Sequence, residues 1–173
     1  MSLITLMAIG IALLDAAVVI VVLGLITKRY RAPIVAFVRR YALLSIFLLS
    51  AACVVGSLYI EYGMNLPPCL MCWWQRIFLY PTALISGIAF FKNVKVSEIA
   101  DYVLGLSILG GLVALYQHLL QMMPTNPLLV PCDATGDCAV RSVFELGFIT
   151  LPWMTLTVCV VLIIIALIAR KDA

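Results

Sequence analysis

Five apolar stretches constrain the fold of this chain, because each is about as long as the roughly 20 residues that a membrane-spanning helix needs. They cover residues 3–26, 41–60, 73–91, 99–120 and 148–169. The chain has 173 residues, of which 65% are hydrophobic and 11% are charged, and a soluble domain of this length could not bury that much apolar surface. We therefore predict an all-α membrane protein.

Basic residues are distributed unevenly among the segments between these spans. Lys and Arg in short loops mark the cytoplasmic side of a membrane. Nine of the 11 basic residues lie between spans one and two, between spans three and four, or after span five: Lys28, Arg29, Arg31, Arg39, Arg40, Lys92, Lys95, Arg170 and Lys171. The sequence therefore predicts an N-terminus outside and a C-terminus in the cytoplasm. It has no basic cluster of the kind that binds nucleic acid.

The first apolar stretch has an alternative interpretation as a cleaved signal peptide. It lacks a basic n-region, it is longer than a signal-peptide core, and it carries Asp15 near its centre. We therefore expect an uncleaved helix. A carboxylate at that depth is costly in lipid, and we consider Arg76 or a polar group on a neighbouring helix as its partner.

Four of the six cysteines lie in or beside the two loops predicted on the outer side. They are Cys69, Cys72, Cys132 and Cys138. Disulfides persist in an oxidising compartment of this kind. Cys53 and Cys159 lie within spans, and we expect both to pack as small apolar residues.

The longer outer loop is predicted to be irregular in its first part. Its residues 139–146 are expected to form a short amphipathic helix on the membrane surface, with Val140, Val143 and Phe144 directed toward lipid.

Cys69 and Cys72 form the sharpest local motif of the sequence. Pro67 and Pro68 precede them, so a helix is predicted to begin at about Cys69 and to hold both thiols in its first turn. Residues three apart on a helix are neighbours and can form a disulfide, and a helix N-terminus stabilises a thiolate. Arg76 follows Cys72 by one turn and can stabilise a thiolate or the oxygen of an electron acceptor.

Two alternatives to redox chemistry remain open from the residues alone. The four cysteines could form structural disulfides in a non-catalytic membrane scaffold, or they could together ligate a zinc ion. A loop as short as residues 69–72 gains little stability from a disulfide, and a cation at Arg76 is unfavourable beside a metal. We therefore favour a redox relay and expect no metal.

The motif Pro68-Cys69-Leu70-Met71-Cys72-Trp73-Trp74-Gln75-Arg76, followed by Tyr80-Pro81, resembles the DsbB family of disulfide bond formation proteins, especially its short BdbC-like branch. Tyr116-Gln117-His118 and the second cysteine pair continue the resemblance, which covers about residues 42–169. It implies a DsbB-like four-helix transmembrane bundle, here residues 41–173, in the bacterial cytoplasmic (inner) membrane. Residues 1–40 are expected to add an N-terminal transmembrane helix and a basic cytoplasmic loop.

The resemblance implies a protein-disulfide:quinone oxidoreductase. Such an enzyme reoxidises a DsbA- or BdbD-like thioredoxin-fold partner and passes the electrons to a membrane quinone, ubiquinone or menaquinone. It thereby supports disulfide bond formation outside the cytoplasm.

The resemblance also implies separate roles for the two pairs. Cys69 and Cys72 would be the quinone-proximal pair, with Cys72 contacting or adducting the quinone and Arg76 assisting. His118 is expected near the quinone. Cys132 would be attacked by the partner's thiolate, and Cys138 would pair back with Cys69.

Overall fold

The computed structural model describes residues 3–123 and 137–170, which are almost entirely helical. The five α-helices are α1 (Leu3–Ile26), α2 (Lys28–Leu58), α3 (Leu70–Phe91), α4 (Val96–Met122) and α5 (Leu151–Ala169). A π-helix, Tyr59–Gly63, continues α2, and a short 3-10 helix, Asp137–Ala139, precedes α5. The architecture confirms the prediction of an all-α membrane protein.

Four helices in the described part of the chain are long and apolar enough to cross a membrane, namely α1, α2 with its π-helix, α4 and α5. The third predicted span falls on α3, which is not among these four. Its polar side chains Gln75, Arg76, Thr82 and Ser86 are buried. Because α3 packs against α2 and α4, these groups face other helices, which is where a membrane protein places polar residues.

The prediction of a basic loop up to residue 40 was wrong, because the structure has one helix over Lys28–Leu58. Only Thr27 separates this helix from α1. Near the end of the predicted loop, the Nε of Arg39 donates to the carbonyl oxygen of Ile168 at 3.3 Å. Ile168 lies in the last turn of α5, where carbonyl groups lack helical partners, so this contact fixes the basic segment to the bundle.

The predicted amphipathic helix over residues 139–146 is absent. A turn replaces its end, where Leu146 and Gly147 adopt positive φ angles of 51° and 82°, and Glu145 pairs with Ile149 in a single β-bridge. Positive φ is incompatible with a continued right-handed helix. Val143 is therefore buried beside Ile149 in a cluster with residues of α1 and α5, whereas Val140 and Phe144 are exposed as expected.

Asp15 of α1 contacts α5, so the suggested pairing with Arg76 was wrong. Its carboxylate accepts hydrogen bonds from the indole Nε1 of Trp153 at 3.0 Å and from the hydroxyl of Thr157 at 2.6 Å. These two donors give the carboxylate partners within the bundle. They also attach the N-terminal helix to α5.

α4 and α5 approach most closely where two glycines of α4 meet Cys159. A Cβ atom added to Gly111 would lie 3.3 Å from the Cβ of Cys159, and one added to Gly110 would lie 3.2 Å from the Cβ of Phe78. Small residues permit such close packing between membrane helices. Cys159 is fully buried at this contact, as its predicted packing role requires.

We predict that Gly111→Leu lowers the free energy of unfolding by about 1–3 kcal/mol, because the larger side chain overpacks the interface between α4 and α5. Thermal or denaturant unfolding in detergent measures this effect. Gly105→Leu is the matched control on the same helix, since a Cβ there would meet nothing within 4 Å. Equal stability of the two variants would contradict the close approach.

Candidate functional site

Cys69 caps the N-terminus of α3. Its backbone is extended (φ −70°, ψ 169°), and its sulfur accepts the backbone N–H of Cys72 at 3.4 Å. The Sγ atoms of the two residues lie 3.0 Å apart, and both residues are free cysteines. The predicted helix start and the placement of both thiols at the first turn are therefore confirmed.

The two sulfurs differ in their affinity for a proton. Both cysteines precede Trp73, so they lie outside the third predicted span, which begins at that residue. The hydrogen bond from Cys69 is the largest cause that lowers the pKa of Cys72, to about 6, with smaller contributions from Gln117, the backbone and the charge of Arg76. The same hydrogen bond with Cys72, together with burial, raises the pKa of Cys69. Cys72 is therefore the thiolate of the pair and Cys69 is its hydrogen-bond donor.

Two buried glutamine side chains complete the surroundings of the sulfurs. Gln75 of α3 donates its Nε2 to the Oε1 of Gln117 on α4 at 2.6 Å. Gln117 in turn directs its Nε2 to the sulfur of Cys69 at 3.2 Å and to that of Cys72 at 3.7 Å. The amide of Gln117 thus connects α4 to the cysteine pair and to Gln75 of α3.

Arg76 is buried beneath the motif, where it contacts the end of α2. Its Nε donates to the hydroxyl of Ser57 at 2.8 Å, its Nη2 donates to the Ser57 carbonyl at 3.3 Å, and its Nη1 pairs with the carboxylate of Glu61. The guanidinium carbon also lies 5.2 Å from the centre of the Trp73 ring. The charge of Arg76 is therefore balanced within the bundle.

The π-helix supplies the carboxylate for this ion pair. Glu61 lies within Tyr59–Gly63, where Met64 donates its N–H to the carbonyl of Tyr59, five residues earlier. Such wide turns are rare and recur at functional sites. Here the turn falls where α2 ends, and it places Glu61 opposite Arg76 of α3.

Cys138 of the second pair is fully buried and is held in a disulfide. Cys132 lies outside the described residues. Gln121 donates its Nε2 to the backbone carbonyls of Val140, at 3.1 Å, and Cys138, at 3.4 Å. Arg141 donates its Nε to the carbonyl of Gln121 at 2.8 Å, which further fixes this loop to α4.

One face of α4 therefore contacts both cysteine pairs. Gln117 and Gln121 are four residues apart, so they lie one above the other on the same side of the helix. The first contacts the sulfurs of Cys69 and Cys72, and the second contacts the backbone of Cys138. Cys138 and the first cysteine pair thus lie at the same end of the bundle.

His118 lies beside α5. Its Nδ1 is 2.9 Å from the hydroxyl of Thr150, and its ring packs against that of Trp153 with centroids 4.9 Å apart. The described contacts of His118 do not include Cys69, Cys72 or Arg76. Its proximity to a quinone therefore stays a prediction, and the preceding residue, Gln117, is the one that meets the sulfurs.

Sequence reasoning missed Gln75, Gln117, Ser57 and Glu61 as site residues. Gln75 and Gln117 are uncharged, so a criterion based on charged residues within the membrane did not select them. The available signal was their position, because each directly precedes a residue that was chosen, Arg76 or His118. Buried amides in a membrane bundle must find polar partners, and this requirement alone would have marked both.

Comparisons with known proteins match the region that contains this site. The family model described as "Disulfide bond formation protein DsbB" matches residues 39–169. "Disulfide bond formation protein C" of Bacillus subtilis (strain 168) is 32% identical over 119 residues, which cover 69% of this chain and 85% of that protein.

Two further relatives have similar names. The "SPbeta prophage-derived disulfide bond formation protein B" of Bacillus subtilis (strain 168) is 40% identical over 73% of this chain and 82% of its own length. A "Probable disulfide formation protein" of Coxiella burnetii (strain CbuK_Q154) is 33% identical over 67% of this chain and 78% of its own length. No solved structure is a significant match. The chain therefore belongs to the DsbB family of disulfide bond formation proteins.

Proposed function

We propose that this chain is a membrane thiol–disulfide oxidoreductase that reoxidises a DsbA- or BdbD-like thioredoxin-fold partner and passes the electrons to a membrane quinone. The observation that carries the proposal is the cysteine pair at the start of α3, whose sulfurs lie 3.0 Å apart as a thiol and a stabilised thiolate. The thiolate is the reactive form of cysteine in thiol–disulfide exchange, and a thiol of low pKa is also the better leaving group. The names of its relatives support the same chemistry.

The cysteine end of the bundle faces the outside in this proposal. Arg39 and Arg170 lie at the opposite end, where Arg39 contacts the last turn of α5 and Arg170 pairs with Asp101 near the start of α4 at 2.9 Å. Basic residues favour the cytoplasmic side. The N-terminus is then outside, and the C-terminus is in the cytoplasm.

The first exchange takes place at the second cysteine pair. A thiolate of the reduced partner attacks one sulfur of the Cys132–Cys138 disulfide, and the partner's second thiolate then resolves the mixed disulfide. The partner leaves oxidised, and the pair becomes a dithiol. Because Cys138 has no exposed surface, we assign the attacked sulfur to Cys132.

The second exchange moves the electrons to α3. The Cys138 thiolate attacks the sulfur of Cys69, and Cys72 leaves as a thiolate. The Cys132 thiolate then attacks Cys138, which restores that disulfide and releases Cys69. A leaving thiol of low pKa speeds such a step, and Cys72 has that property.

The surroundings of Cys72 fit a flat, apolar electron acceptor. Leu70, Trp73 and Trp74 are each about half exposed on the first turns of α3, and Arg76 lies under the Trp73 ring. A quinone bound there would accept the two electrons that are released when the Cys69 thiol and the Cys72 thiolate form a disulfide, together with the proton of Cys69 and a second proton from solvent. Trp73 and Trp74 would border its ring, and Arg76 and His118 would be the candidate polar contacts.

The structural and metal alternatives fit this geometry less well. Cys138 is in a disulfide, so its sulfur is not the thiolate that a zinc site with four cysteine ligands needs. A disulfide between Cys69 and Cys72 would close a very short loop and would therefore add little stability as a structural crosslink. A lowered thiol pKa serves an exchange reaction but has no purpose in a scaffold.

We predict that Cys72→Ser abolishes quinone reduction, because it removes the thiolate that releases the electrons. The assay follows reduction of a soluble quinone analogue by the purified protein, with a reduced thioredoxin-fold oxidase as donor. Cys53→Ala, within α2, is the control and should retain turnover. Full turnover by Cys72→Ser would show the mechanism to be wrong.

We predict that the reduced protein is alkylated at Cys72 with a pH midpoint of about 6, since its lowered pKa leaves the sulfur ionised above that value. The rate should rise as pH increases through the midpoint and then level off. Iodoacetamide labelling at a series of pH values, with mass spectrometry of the Cys72 peptide, gives the profile. A midpoint near the ordinary thiol value of about 8.5 would contradict the assignment.

We predict that Cys138→Ser accumulates a mixed disulfide between Cys132 and the thioredoxin-fold partner, because the Cys132 thiolate can attack the disulfide of the oxidised partner and no Cys138 thiol remains to displace the partner from Cys132. Non-reducing electrophoresis of cells or of the purified pair detects this species. Cys132→Ser is the matched control and should trap little. If only Cys132→Ser trapped the partner, the roles of the two cysteines would be exchanged.

A further inference from the structure

We propose that Gln117 is a catalytic hydrogen-bond donor that stabilises negative charge on the sulfurs of the first cysteine pair, and that Gln75 is the positioning residue that orients it. The inference deepens the proposed function and rests on it for its meaning in turnover. Three contacts support it. Gln75 donates to Gln117, and Gln117 in turn contacts the sulfurs of Cys69 and Cys72.

Burial strengthens the hydrogen bonds of the two glutamine side chains. Gln117 is 2% exposed and Gln75 is 6% exposed, so water competes little for either amide. A hydrogen bond to a charged group is stronger than one between neutral groups, and it gains strength where the dielectric constant is low. The donor of Gln117 therefore acts on an anionic sulfur in a setting where its effect is large.

The position of the donor suits both stages of exchange. Its nitrogen lies within hydrogen-bonding distance of both sulfurs, at 3.2 Å from Cys69 and 3.7 Å from Cys72. Negative charge appears on Cys72 when it leaves the disulfide, and on Cys69 when it is released from Cys138. One amide group can thus serve both anions without a change of side-chain position.

Gln75 determines which end of the Gln117 amide faces the sulfurs. An amide presents a donor at its nitrogen and an acceptor at its oxygen, and an oxygen beside a thiolate is repulsive. Because Gln75 donates to the Oε1 of Gln117, that oxygen is held away from the pair and the nitrogen is directed toward it. Gln75 makes no described contact with either sulfur, so its effect passes through Gln117.

Other charged groups near the pair are separate from this amide chain. Arg76 of α3 is engaged with Ser57 and with Glu61 of the π-helix, and His118 of α4 is directed to Thr150 and Trp153. Substitutions that remove only a glutamine amide leave these contacts and the charge of the site unchanged.

The test is a cycle of Gln117→Met, Gln75→Met and the double variant, since methionine keeps the length of the side chain but donates no hydrogen bond. For Gln117→Met we expect about tenfold slower alkylation of Cys72 at pH 5, with the pH midpoint higher by about one unit. Gln75→Met should give a smaller shift in the same direction. The double variant should match Gln117→Met, because Gln75 acts only through Gln117.

Gln121→Met is the matched control, because it removes the same amide one turn further along α4 without touching Cys69 or Cys72. Its Cys72 profile should equal that of the unmodified protein. If Gln117→Met fails to fold, Gln117→Asn replaces it, because this shorter amide cannot reach the sulfurs. An unchanged profile for the folded Gln117 variant, or additive shifts in the double variant, would overturn the inference.

The alkylation assay separates this inference from the proposed function, because it needs neither quinone nor partner. The protein could lack quinone reductase activity while its Cys72 profile still responds to Gln117→Met. That result would support Gln117 as the hydrogen-bond donor and contradict the quinone as the electron acceptor. Normal quinone reduction together with a Cys72 profile that Gln117→Met leaves unchanged would support the proposed function and overturn the role of Gln117.

Discussion

The capping of α3 by Cys69 is the interaction on which the rest of the site depends. A sulfur that accepts a free N–H of the first helical turn must lie over that turn, and this position brings it to 3.0 Å from the sulfur of Cys72. The same position places both sulfurs beside Gln117 of α4. Pro67 and Pro68 stop the helix from extending backward, so the cap and the cysteine pair share one local cause.

Polar groups inside this bundle occur in sets that satisfy one another. Arg76 meets Ser57 and Glu61, and Asp15 meets Trp153 and Thr157. Lipid offers no hydrogen bonds, so a polar residue on a membrane helix draws a partner helix toward it. The Arg76 set joins α3 to the end of α2 beside the cysteine pair, and the Asp15 set joins α1 to α5.

α4 links the two halves of the proposed relay. Gln117 and Gln121 lie on one face of this helix, and each contacts a different cysteine pair. α5 packs closely on the same helix through Cys159 and two glycines, which keeps α4 in a fixed position. The segment that carries Cys138 is attached to this helix, because Gln121 donates to the backbone carbonyls of Cys138 and Val140.

The sequence by itself determined the helical class, four of the five predicted spans, the start of α3 directly after Cys69 and the cysteine motif at that start. These features depend on local composition, on proline and on spacing along one helix, all of which are readable from the chain. Tertiary structure decided the partners of Arg76 and Asp15, the burial of Val143 and the amide contact from Gln117 to the sulfurs. Each of these depends on which helices are neighbours and on how they are offset along their axes. Close packing of side chains from distant parts of the chain sets that arrangement, and periodicity within a single span carries no information about it.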